Sequence, residues 1–148
     1  MTRRILGVLA GLALAACGGG DATSPTPSAV GYEGRWSGSA FTSSVPAGVP
    51  SPGAFSFTVS REQTITAIEF DYRLGACSGR ISVPNLNLPL FDYAPLGRTF
   101  EYRSTDFTQP NYVTVAGSFQ SDGTASGVIG LGQYNGCGDG GGSWTARR

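Results

Sequence analysis

Apolar and polar residues alternate with a period of two along most of the chain beyond residue 31. In the run 32–42, Tyr32, Gly34, Trp36, Gly38 and Ala40 fall on one face, and Glu33, Arg35, Ser37 and Ser39 on the other. The run 54–60 sets Phe55, Phe57 and Val59 against Ser56, Thr58 and Ser60. In 64–74, Ile68, Phe70, Tyr72 and Leu74 oppose Glu69, Asp71 and Arg73. Ile65 breaks that phase, which implies either a bulge near Ala67 or a place for Ile65 in the turn. Shorter runs follow at 76–83, with Ile81 and Val83 inward, and at 98–104, with Phe100 and Tyr102 inward. The run 112–120 groups Val113, Val115, Gly117 and Phe119, and 124–131 groups Ala125, Gly127, Ile129 and Leu131. Between these two, Ser121-Asp122-Gly123 is a turn, because Asp-Gly supplies the positive φ of a tight hairpin. The run 140–146 closes the chain through Trp144 and Ala146. The stretch 45–52 reads as a Pro-rich loop, and 84–96 as loop or edge strand, since its prolines cannot donate to a ladder.

Such runs, bounded by Gly, Pro, Asn and Ser, are strand signatures, and no stretch has the period of an amphipathic helix. The expectation is an all-β domain, a single antiparallel barrel or sandwich of about eight strands in meander order. Gly34-Arg-Trp36 opens it and Gly142-Ser-Trp144 closes it. Pairing the first strand with the last would remove both sheet edges. The opening Gly-x-Trp resembles the start of lipocalin and avidin-like barrels, where a Trp seals the barrel floor. What that resemblance implies concerns architecture and not ligands.

The N-terminal region follows different rules. Arg3-Arg4 precede the apolar run 5–16, and small residues surround Cys17. The run is shorter than the roughly 20 residues of a spanning helix and has the layout of a secretory signal. Leu14-Ala15-Ala16-Cys17 resembles a bacterial lipobox. That resemblance implies cleavage before Cys17, a diacylglyceryl group on its sulfur and an acyl chain on the new amino group. No other cofactor is expected. Gly18, where an Asp would mark inner-membrane retention, implies the outer membrane in a diderm organism. Residues 1–16 are then a signal peptide, 17–31 a lipidated Gly/Ser/Thr/Pro tether, and 32–148 the β domain.

Charge narrows the partners. The chain has ten Lys+Arg against ten Asp+Glu, all ten cations being Arg. Loss of Arg3 and Arg4 with the signal leaves a mildly negative protein without a basic cluster, so nucleic acid, which requires positive charge to displace counterions, is not an expected partner. Arg147-Arg148 reads as a solvated end. Once Cys17 is assigned to lipid, Cys77 and Cys137 remain as an even pair, which in an oxidising compartment reads as a disulfide.

Histidine and lysine are both absent. Ser-His-Asp triads, Cys-His pairs and lysine nucleophiles are therefore excluded. Glu69 and Asp71, two apart on one strand face, are the available carboxylate pair for a glycan hydrolase, or else an ordinary exposed face. Asp92, Glu101 and Asp106 read as surface residues. The loop 136–142 lacks the Lys and following helix of a phosphate loop, and Asp139 alone does not make a calcium site. Trp36, Phe55, Phe57, Phe70, Tyr72, Phe100, Tyr102, Phe119 and Trp144 either line a ligand pocket or form the core that a small β domain needs. The expected protein is a non-enzymatic, membrane-tethered envelope module that binds or scaffolds a protein, glycan or small molecule. The alternatives are a barrel-type carrier of a small apolar ligand and a carboxylate-based hydrolase.

Overall fold

The computed structural model describes residues 31–44, 48–104 and 111–148. The expected signal peptide, Cys17, nearly all of the tether, and Asp106 lie outside the described residues. The domain is all-β, with a single antiparallel sheet curled into a half-barrel around an aromatic core. Its strands are β1 (Gly34–Ser44), β2 (Ser51–Val59), β3 (Thr64–Leu74), β4 (Cys77–Val83), β5 (Leu88–Pro89), β6 (Phe91–Tyr93), β7 (Gly97–Arg103), β8 (Tyr112–Phe119), β9 (Thr124–Gly132) and β10 (Gly140–Arg147). The spatial order is β4-β3-β2-β1-β10-β9-β8-β7-β6, with β5 beside β3.

The first and last strands pair as expected, from Ser37 opposite Arg147 to Ser44 opposite Gly140. The pairing does not remove the sheet edges, however. It lies mid-sheet, and the edges fall at β4 and β6. The segment 84–96 bridges them, and this is why it carries two extra short strands. After Val83, positive φ at Asn85 turns the chain along β3, where Ile65 pairs with Leu88 and Thr64 with Pro89. Leu90 is a buried corner whose N–H donates to the Gln63 carbonyl, and the chain then becomes β6 against β7. Prolines 84, 89 and 95 fit a route that follows edges and turns, where a missing N–H costs little.

β2 starts at Ser51, earlier than the expected loop allows, and Pro52 sits opposite Phe41. This is tolerated because the β2–β3 ladder begins only at Phe55 opposite Phe70, so Pro52 borders a single strand. Where β2 leaves β3, the buried Thr42 of β1 takes over. Its hydroxyl accepts the Arg73 N–H at 2.8 Å and donates to the Arg73 carbonyl at 3.4 Å. The expected irregularity in β3 is a bulge. Thr58 pairs with Ala67 and Val59 with Ile65, leaving Thr66 as the extra residue. The bulge brings Ile65 fully into the core despite its phase.

At the β8–β9 turn Gly123 has φ +79, and Asp122 accepts the Thr124 N–H at 3.0 Å, the local chemistry expected of Asp-Gly. Cys77, which begins β4, is bonded to Cys137 in the loop before β10, with Cα atoms 5.9 Å apart. The disulfide therefore clips one sheet edge to the β9–β10 connection.

Candidate functional site

The concave face of the sheet is filled. Phe55, Phe57, Phe70, Phe100 and Trp144 are all buried. Phe55 stacks on Trp144 at a centroid distance of 4.4 Å, and Phe57 meets Phe100 at 5.4 Å and Trp144 at 5.7 Å. These contacts fall in the range of favourable aromatic pairs. Of the aromatics singled out from the sequence, Phe55, Phe57, Phe70, Phe100 and Trp144 thus sit within this packed interior. Tyr72 is buried nearer the disulfide end, where its hydroxyl accepts an N–H from the Asn135 side chain at 3.2 Å and its ring meets Tyr134 at 5.3 Å. Tyr102 is half-buried, and its phenol is pushed up, first by burial and then by the nearby Tyr134.

Trp36 and Phe119 occupy a different position. They close one end of the core and form the floor of a cavity of about 490 Å³ at that end. Their rings meet edge to face at 5.0 Å, and Tyr32 packs on Phe119 at 4.4 Å. The Trp36 indole N–H donates to the Tyr32 carbonyl at 2.8 Å, fixing the wall of the cavity to its floor. Behind the floor, Phe57 stacks on Trp36 at 5.7 Å and lies 5.8 Å from Phe119, so the cavity is blind. Arg98 and Arg148 stand at its rim with Gln120. Arg98 uses Nε on Asp92 at 2.7 Å. Arg148 is exposed, in keeping with a solvated end, and is also tied to the start of the domain. Its Nη1 donates to the Gly31 carbonyl at 2.6 Å and to the Glu33 carbonyl at 3.4 Å. The cavity thus opens where both the first described residue and the last strand end.

Glu69 and Asp71 lie on the opposite, convex face of the sheet. Arg35 approaches Glu69 at 3.5 Å and the Ser82 hydroxyl donates to it at 3.4 Å. Arg80 Nε donates to Asp71 at 2.8 Å and the Ala54 N–H donates to it at 3.2 Å. The Arg80 bond chiefly holds the Asp71 carboxyl below the usual carboxylate range; burial opposes it in part, and the Ala54 N–H and the Arg80 charge add to the lowering. A glycosidase acid needs a raised pKa, and Asp71 is shifted the other way. Glu101 pairs with Arg103 on the same convex face. Asp139 accepts the Gln133 N–H and so braces the β9–β10 loop. No group of three or more potential metal ligands occurs among the described residues.

Trp36 and Phe119 were legible as aromatic strand positions, and Tyr32 shares the Trp36 face in sequence. Arg98 and Arg148 carried no such signal, because lone arginines near strand ends look like solvated charge until the ends are brought together. Comparison of the chain with protein-family models, with curated proteins and with solved structures returns no match.

Proposed function

We propose that this protein is a lipid-tethered, extracytoplasmic, non-enzymatic binding module, and that its binding site is the end cavity. One observation carries the binding part: a blind cavity of about 490 Å³, floored by Trp36 and Phe119, lies outside a filled core. Cavities of several hundred Å³ with an apolar floor and few polar groups are the usual form of small-ligand sites. The site supports a carrier reading in modified form, with ligand held at the end of the half-barrel and not within it. The convex-face carboxylates are spent on arginines, which disfavours the hydrolase reading.

The tether is argued from Leu14-Ala15-Ala16-Cys17 and the Gly/Ser/Pro segment behind it. Several acyl chains on one cysteine give stable attachment where one gives only marginal binding. The cavity lies beside Gly31, where such a tether joins the domain, so the module would work close to the membrane surface. Labelled palmitate should enter the full chain and be lost in Cys17→Ala, with the wild type in the membrane fraction. Persistent labelling of that variant, or an unlabelled wild type, would overturn the tether.

A further inference from the structure

We infer that the end cavity selects a small monoanionic acid with a single short apolar body. This rests on the binding-module reading and names its ligand class. The apolar part follows from the floor, where the half-buried Tyr32 meets the small exposed margins of the otherwise buried Trp36 and Phe119. The shortness follows from Phe57, which backs both floor residues and blocks entry into the core. The negative head follows from the rim, where the two charged side chains lining the cavity are arginines.

A guanidinium has five N–H donors in a fork that matches a carboxylate. The bonds described above occupy Nε of Arg98 and Nη1 of Arg148, so each has donors left to offer. Asp92 offsets the charge of Arg98. The Arg148 bonds go to carbonyl oxygens, so its charge is not compensated by any carboxylate side chain among the described residues. The rim therefore offers an anion the remaining guanidinium donors of both Arg148 and Arg98. An uncharged ligand of the same shape would gain the floor contacts and forgo this attraction.

The two tryptophans provide a built-in readout. The Trp36 indole N–H bonds to the Tyr32 carbonyl at the cavity, and the Trp144 indole N–H bonds to the Ala116 carbonyl away from it. The full chain carrying Cys17→Ser, which has no acyl group at that position to compete, is titrated with hexanoate and with 1-hexanol while both indole N–H resonances are followed. Saturable movement of Trp36 with a static Trp144 is expected, with hexanoate binding more tightly. Arg148→Gln should weaken hexanoate by about tenfold, as for the loss of a charge-assisted bond, and leave hexanol unchanged, while Arg148→Lys retains part of the preference. Arg98→Gln is the second variant should Arg148→Gln disturb the Trp144 signal, and it should weaken hexanoate in the same sense. Equal binding of the two probes, or no effect of either arginine variant, overturns the anionic head but leaves the cavity as a site. No movement of Trp36 with either probe overturns the cavity and the binding reading together. Dihexanoyl phosphatidylglycerol, a soluble two-chain lipid with one negative charge, separates the sources. Weaker binding than hexanoate supports a free acid, and tighter binding overturns it in favour of a membrane lipid.

Discussion

The Trp144 indole lies directly over Gly117. A Cβ built on Gly117 would collide with Cζ2 and Cη2 of that ring. Gly117 faces Gly127 across β8 and β9, and Gly127 faces Trp144 across β9 and β10. Gly117 thus omits a side chain so that the ring can lie against β8, whereas a Cβ on Gly127 would meet the Ala116 carbonyl and the Gly117 Cα. The indole N–H then reaches the Ala116 carbonyl at 3.2 Å, satisfying the buried donor. Gly117→Ala is expected to destabilise the fold by about 1–3 kcal/mol, the usual range for overpacking a filled core. Denaturant unfolding followed by tryptophan fluorescence measures it, and an unchanged midpoint would contradict this packing.

Thr42 is the buried hydroxyl that joins β1 to β3 where β2 has left the ladder. Thr42→Val keeps the shape but leaves the Arg73 N–H without its 2.8 Å acceptor. Leaving a buried donor unsatisfied costs about 1–3 kcal/mol. Thr42→Ser retains the oxygen and should recover most of the loss. Equal stability of the Val variant and the wild type in chemical melts would count against the bridge.

The Cys77–Cys137 bond closes a loop with a sequence separation of 60 and ties edge strand β4 to the β9–β10 connection. Cys77→Ser with Cys137→Ser should lower stability by about 2–4 kcal/mol, mostly through a less constrained unfolded chain. Peptide mapping without reductant should recover the linked pair. Two free thiols in protein taken from an oxidising compartment would refute the assignment.

Asp71 sets a pH dependence whose sign is fixed by its shift. Its folded-state pKa is lowered from the ordinary 3.8, first by the Arg80 hydrogen bond. A lowered acid contributes stability above its unfolded value and loses it as pH falls through the folded value. Asp71→Asn should therefore be less stable than the wild type at neutral pH by a small margin, since the pair is exposed. That margin should start to shrink near pH 3.8 and vanish at lower pH. A margin that instead grew on acidification, in melts from pH 7 downward, would contradict the shift.

Much of the domain was legible because a strand's two faces carry opposite solvent preferences. Phe55, Phe57, Phe70, Phe100 and Phe119 are buried where period two places them. The break in phase at Ile65 marked the bulge, and Asp122-Gly123 marked the hairpin, since both are local matters of backbone geometry. The segment 84–96 was less legible, for its prolines show only what a residue cannot donate. They do not show that Leu90 lies between the two edges of one sheet.

Residue order and chemistry by themselves determined the all-β class, the pairing of the first strand with the last, the cysteine pair, and the absence of histidine and lysine chemistry. These follow from side-chain periodicity, cysteine parity and composition, which a linear chain displays directly. Tertiary structure alone decided which core aromatics lie at its end beneath a cavity, because Phe57 and Trp36 share the same alternation and burial and differ in distance from the end of the half-barrel. It alone also brought Arg98 and Arg148 to one rim. The reason is curvature: bending one sheet onto itself joins strand ends far apart in sequence, and the local pattern of apolar and polar positions does not encode where that bend closes.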